Sequence, residues 1–180
     1  VMKGFWKEME NLNVDDNPYR AGFLQLVCVS ETDAKAEEEY GEHVDYFYKK
    51  CLHVFEGFSE APGYRTIKTI KSGNTRQIGS RASQARKELT WQDYKDEGYI
   101  IAGSPKTVVN ELRKAAEGLR VGHLMVLLQI GSMPKDLTIK NTELFASPVM
   151  PHLQDLWSEF VSFTHLLSHQ TNSTLVFPLL

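Results

Sequence analysis

Two short apolar runs bracket the most regular pattern in the chain. Tyr99 to Ala102 is an uncharged run ended by Gly103, and Leu124 to Leu128 is a second with no polar alternation. Continuous runs of this length predict strands covered on both faces, as in a parallel sheet. Between them Val108, Leu112, Ala115 and Leu119 recur at helical spacing, which predicts a helix. Ser104 suits its N-cap and Pro105 its first position, because proline lacks only an N–H that would be unpaired there. Gly118 can take the left-handed conformation that ends a helix. The stretch from Gly98 to Pro134 therefore reads as strand, helix, strand.

The pattern extends in both directions. Phe23 to Val29 reads as a buried strand, and Ser30-Glu31-Thr32-Asp33 offers two caps for a long helix. The apolar stripe of that helix is Ala36, Tyr40, His43 or Val44, Phe47 and Cys51, and Glu37, Glu38 and Glu39 suit its electropositive early turns. Phe5-Trp6-Lys7-Glu8-Met9 reads as the tail of a helix, so the chain is expected to be a piece of something longer. Past Pro134 an amphipathic helix is expected through Leu137, Leu144 and Phe145 toward Leu153 and Trp157, broken at Pro148 and Pro151.

Between these units, from about 54 to 97, the periodicity fails. Pro62-Gly63 marks a turn, and Arg65, Lys68, Lys71, Arg76, Arg81, Arg86 and Lys87 form a basic cluster that reads as a solvated face. Trp91 and Tyr94 read as the anchor of this insertion. Residues 161–180 form a tail whose end has neither helical nor alternating order. The expected organisation is one α/β domain over 1–160 plus that tail. Three successive βα units fit either an open doubly wound sheet or a section of a (β/α)8 barrel.

Composition narrows the function classes. At 180 residues and a formal charge of -3, nothing implies a nucleic-acid footprint or a polybasic membrane patch. No apolar run is long enough to cross a bilayer and Val1-Met2-Lys3-Gly4 lacks the apolar core of a signal peptide, so a cytoplasmic protein is expected. Cys28 and Cys51 have no second cysteine nearby, and both read as ordinary thiols. Asn172-Ser173-Thr174 matches a glycosylation acceptor only by chance on this reading.

In parallel α/β folds the loops after the strands' carboxyl ends carry ligands. Two such loops stand out, Gly103-Ser104-Pro105 and Gly131-Ser132-Met133-Pro134, whose small residues let a ligand approach the backbone. Gly-Ser-Pro is also the plainest way to start a helix. His43, His53, His123, His152, His165 and His169 fall on helices, at a strand's amino end or near the tail, so each reads as structural and no metal site is expected.

At Thr32-Asp33, Tyr46-Phe47, Pro62-Gly63-Tyr64, Gly98 to Pro105, Gln129-Ile130-Gly131, Glu143-Leu144-Phe145-Ala146 and Val149-Met150-Pro151 the chain resembles the luciferase-like flavin-dependent monooxygenases. The resemblance runs from about Tyr19 to about Leu156 and rests on the order and spacing of these motifs together. It implies the carboxyl-terminal part of a (β/α)8 TIM barrel, with its last three parallel strands and an insertion before the seventh. It further implies oxidation of a small organic substrate by dioxygen and reduced FMN, the flavin being supplied by a separate reductase, in a homo-oligomer. Gly103 and Ser104, with Gln129 and Gly131, match positions that line the family's cleft near flavin or substrate. The catalytic base and the main phosphate contacts belong to an amino-terminal half that this sequence lacks, so no catalytic residue is assigned. Pro148 departs from the family pattern, as does everything after Trp157. The alternative is a non-catalytic fragment that associates with another protein through an exposed sheet edge. A third reading is an independent doubly wound domain with a phosphate at Ser104.

Overall fold

A computed structural model describes residues 1–51, 66, 68 and 89–160. Most of the expected insertion, with all of its basic cluster except Lys68, lies outside the described residues, as do the 161–180 tail, His53, His165 and His169. The elements in order are helix α1 (Met2–Asn11), a 3-10 turn (Pro18–Arg20), strand β1 (Gly22–Val29) and helix α2 (Asp33–Tyr46) with a wider π turn at Phe47–Cys51. Helix α3 (Trp91–Asp96), strand β2 (Ile100–Gly103), helix α4 (Pro105–Leu119), strand β3 (His123–Leu127) and helix α5 (Lys135–Ala146) follow, then a 3-10 turn at Met150–Leu153. No described helix is long and apolar enough to cross a membrane.

Local chemistry sets most boundaries. The Thr32 hydroxyl accepts the Lys35 N–H at 3.1 Å and starts α2. Thr90 and Asp93 form a reciprocal capping box on α3. Ser104 caps α4 with Pro105 in its first turn, as the sequence implied. The end of α4 differs from expectation: Gly118 stays helical, and Arg120 takes the left-handed conformation at φ 51°. Its guanidinium is held by Asp16 and ringed by Trp6, Trp157 and Phe160, contacts a glycine lacks.

The fold is mixed α/β around a small parallel sheet of three strands among the described residues, in the order β2-β1-β3. Leu26 pairs with Ile100 on one side and Leu127 on the other. The steps from β1 to β2 and from β2 to β3 run in opposite directions across the sheet. Right-handed crossovers then require α2 and α4 on opposite faces. The core is divided in that way: Cys28, Ala102 and Ile130 pack with Ala36, Tyr40 and Val44 of α2, whereas Val27, Val29 and Ile101 pack with Val108 and Leu112 of α4. Tyr94 of α3 is buried on the α2 side, stacked on Tyr48 with its hydroxyl donating to Asp45 at 2.9 Å. No closed barrel is formed among the described residues, and β1 rather than β2 is central.

The strand β3 corrects one expectation. Its apolar run suggested cover on both faces, yet His123, Met125 and Leu127 are exposed while Leu124 and Val126 are half-buried. An uncharged run marks a strand but not its position in the sheet, and β3 is an edge.

Candidate functional site

The strands deliver Ser30-Glu31, Gly103-Ser104 and the Gln129 to Pro134 loop to one end of the sheet. In an open sheet the crevice forms between neighbouring strands whose connections leave in opposite directions, here β1 and β3. That junction is pinned by Asn141 of α5, which is fully buried. Its Oδ1 accepts the Val29 N–H at 2.7 Å, and its Nδ2 donates to the carbonyls of Val27 at 2.9 Å and Leu128 at 2.7 Å. Sequence reasoning passed over Asn141. The signal was a polar residue on the apolar stripe between Leu137 and Phe145.

Beside it lies an ionic cluster. The buried Ser30 hydroxyl is 2.8 Å from both Glu31 Oε2 and Glu39 Oε2, and Lys140 Nζ is 2.6 Å from Glu39 and 3.1 Å from Glu31. One hydroxyl proton serves one carboxylate at a time, so Lys140 carries the rest of the neutralisation. The Glu31 main-chain N–H, then Ser30 and Lys140, hold the Glu31 carboxyl well below its ordinary range. Burial pushes Glu39 up, but Lys140 and Ser30 outweigh it and its carboxyl is also lowered. Both stay ionised near neutral pH, which makes this cluster a fastening rather than a poised acid–base pair.

All four residues singled out from the sequence come to this carboxyl end, in two loops engaged by opposite ends of α2. Asp33, the first residue of α2, places Oδ1 2.6 Å from the Ser104 N–H and Oδ2 3.1 Å from the Thr107 hydroxyl. The Ser104 N–H, chiefly, lowers the Asp33 carboxyl below its ordinary range despite partial desolvation. Gly103, at φ 148°, leaves the room: a Cβ there would collide with Asp33 Oδ1. Ser104 meanwhile accepts the Thr107 N–H at 3.4 Å as the cap of α4.

The second loop meets the other end of α2. Gly131 has φ 56°, and a Cβ there would run into the His43 carbonyl. His43 Nδ1 is 2.9 Å from Ser132 Oγ. Gln129 is exposed and turns its amide to the Gly131 carbonyl at 3.3 Å. The glycines thus give close approach to α2, and the anion seat at the start of α4 is filled by the chain's own carboxylate. His43 is the one described histidine at this end. His123 opens β3 edge-on to Tyr19 with ring centroids 5.4 Å apart, and His152 lies in the last 3-10 turn.

Among the described residues no group of His, Cys, Asp and Glu could hold a metal. Cys28 is buried, and desolvation pushes its thiol far above the ordinary value; Cys51 is exposed. No family model and no curated protein matches the chain.

Proposed function

We propose that this chain is the carboxyl-terminal portion of a luciferase-like flavin-dependent monooxygenase that oxidises a small organic substrate with dioxygen and reduced FMN. The observation that carries the proposal, together with the motif order from Thr32 to Pro151, is that Gly103-Ser104 and Gln129-Gly131 lie at the same carboxyl end of parallel strands. Consecutive barrel strands would lie in the order β1-β2-β3, so on this reading β3 takes the open edge of β1 in the portion alone and returns beside β2 in the whole enzyme. Bound flavin would supply the oxygen chemistry. Asp33 fills the Ser104 seat, so on this reading the flavin phosphate is held by the amino-terminal half, and the portion by itself is expected to hold no FMN and to be inactive. Cofactor, reductase, catalytic base and quaternary partner then act on the whole enzyme in the cytoplasm.

The test is FMN binding and reduced-FMN oxidation by the chain alone and by the same chain extended with its upstream reading frame. Binding and oxidation only in the extended protein are expected. Absence of flavin binding in the extended protein would overturn the proposal. The second reading, association without chemistry, is favoured by the uncovered outer edges of β2 and β3 among the described residues. An independent doubly wound domain is favoured by the strand order and by helices on both faces. A cooperative folding transition and phosphate binding without any upstream segment would select that third reading.

A further inference from the structure

The outer edge of β2 lacks the usual defences of an edge strand. All four of its residues are buried and none is charged or proline, which is the pattern of an interior strand. Yet among the described residues only β1 pairs with it. The Ser30 N–H donates to the Gly103 carbonyl at 3.0 Å, so by alternation Ile100 and Ala102 direct their main-chain groups outward. They face a groove of about 630 Å³ between α3 and α4, walled by Gln92, Lys95 and Asp96 on one side and by Glu111, Lys114 and Gly118 on the other.

Gln25 lies in the lining of that groove and is 4% exposed. Its Nε2 makes one long bond to the Gly98 carbonyl at 3.4 Å, and its Oε1 has no partner among the described residues. That amide oxygen is not sealed off from solvent, and on the groove side it is an acceptor that an incoming N–H can meet. The wall charges cancel, Lys95 and Lys114 against Asp96 and Glu111, so the groove is complementary to an uncharged strand.

The same chain carries such a strand. Among the described residues the outer edge of β3 is also uncovered, its run His123 to Leu127 has no Asp, Glu, Lys or Arg, and Met125 and Leu127 are 51% and 39% exposed beside Leu24 at 57%. The His123 N–H donates to the Ala21 carbonyl at 3.3 Å, so Leu124 and Val126 turn their main-chain groups outward. We propose that a second copy seats its β3 edge in the β2 groove, joining the copies head to tail. The contact continues a parallel sheet, supplies the missing neighbour of β2, offers an N–H to Gln25 and covers Met125 and Leu127. It is heterologous, because each copy gives one edge and receives on the other. It concerns this chain by itself, since in a closed ring both edges of β2 would be paired.

Light scattering with two kinds of variant tests the proposal. Gly118→Phe fills the groove, since nothing lies within 4 Å of a Cβ at that position. Lys114→Trp, at a side chain 78% exposed, is a second groove variant that spares the core. Met125→Lys places a charge on the exposed face of β3. The wild-type mass should rise with concentration across the micromolar range. Each variant alone, with wild-type circular dichroism, should stay monomeric. An equimolar mixture of a groove variant with Met125→Lys should double in mass, because one supplies an intact β3 and the other an intact groove. A monomeric wild type, variants that assemble like wild type, or a mixture that stays monomeric overturns the proposal.

Discussion

Asp33 and Ser104, 71 positions apart, are joined by a 2.6 Å hydrogen bond from the Ser104 N–H to the Asp33 carboxylate. A helix N-terminus attracts anions, and here the protein supplies its own. Asp33→Ala should cost about 1 kcal/mol, a charge-assisted bond discounted for its exposed position. The folded carboxyl is lowered from 3.8, so its stabilising contribution is complete above that value. It is lost as pH falls from there through the folded pKa. Urea melts of wild type and Asp33→Ala should therefore converge in strong acid. Freed of its plug, the seat in Asp33→Ala should also give a rise in Tm with inorganic phosphate that wild type lacks.

Asn141 ties β1 to Leu128, just past β3, with three hydrogen bonds, and its removal leaves main-chain groups of both segments unpaired beside a buried space. Asn141→Ala should lose on the order of 3–5 kcal/mol in chemical denaturation. Asn141→Asp should be as damaging or worse at neutral pH, since it turns a donor facing two carbonyls into a carboxylate oxygen. An Asp variant near wild-type stability would mean that the carbonyls of Val27 and Leu128 do not depend on the side-chain amide.

Gly131 and Gly118 differ in what surrounds them, and the same substitution should act oppositely. Gly131→Ala forces an alanine to φ 56° against the His43 carbonyl and should cost roughly 1–3 kcal/mol. Gly118→Ala adds a methyl to open space inside a helix and should gain roughly 0.5–1 kcal/mol. Thermal melts at matched concentration distinguish the two signs.

The parts of this fold legible in the sequence are those fixed within a few residues. Thr32, Ser104 with Pro105, and the stripe Ala36, Tyr40 and Val44 each announce themselves locally, and the structure uses them as expected. The prolines at 148 and 151 likewise leave α5 ending at Ala146 and a short 3-10 turn beyond it. What escaped depends on distant partners. The exposure of β3 follows from its place at the sheet edge, the role of Asn141 from three carbonyl and amide groups on β1 and just past β3, and the filled seat at Ser104 from a carboxylate on another helix. Gly131 was singled out as a place where a ligand approaches the backbone, and in the structure α2 makes a close approach there.

Arg120 closes α4 in a conformation that favours glycine, so its side chain must offset backbone strain. The guanidinium centre lies 5.9 Å from the Trp6 ring, 5.7 Å from Trp157 and 5.9 Å from Phe160, while its Nε donates to the Asp16 carbonyl at 3.0 Å. Arg120→Ala loses these contacts and keeps the strain; Arg120→Gly loses them and relieves it. The glycine variant should therefore be more stable than the alanine variant by about 1 kcal/mol, with both below wild type. Arg120→Lys keeps the charge but not the planar stacking or the forked donors, and should fall between wild type and Arg120→Ala. Tryptophan fluorescence follows the same site, because Trp6 donates to the Leu119 carbonyl at 2.9 Å and Trp157 to the Val121 carbonyl at 2.8 Å on either side of Arg120. A red shift in Arg120→Ala and Arg120→Gly, smaller in Arg120→Lys, is expected. Equal stability of the alanine and glycine variants would mean that the φ of 51° carries no strain.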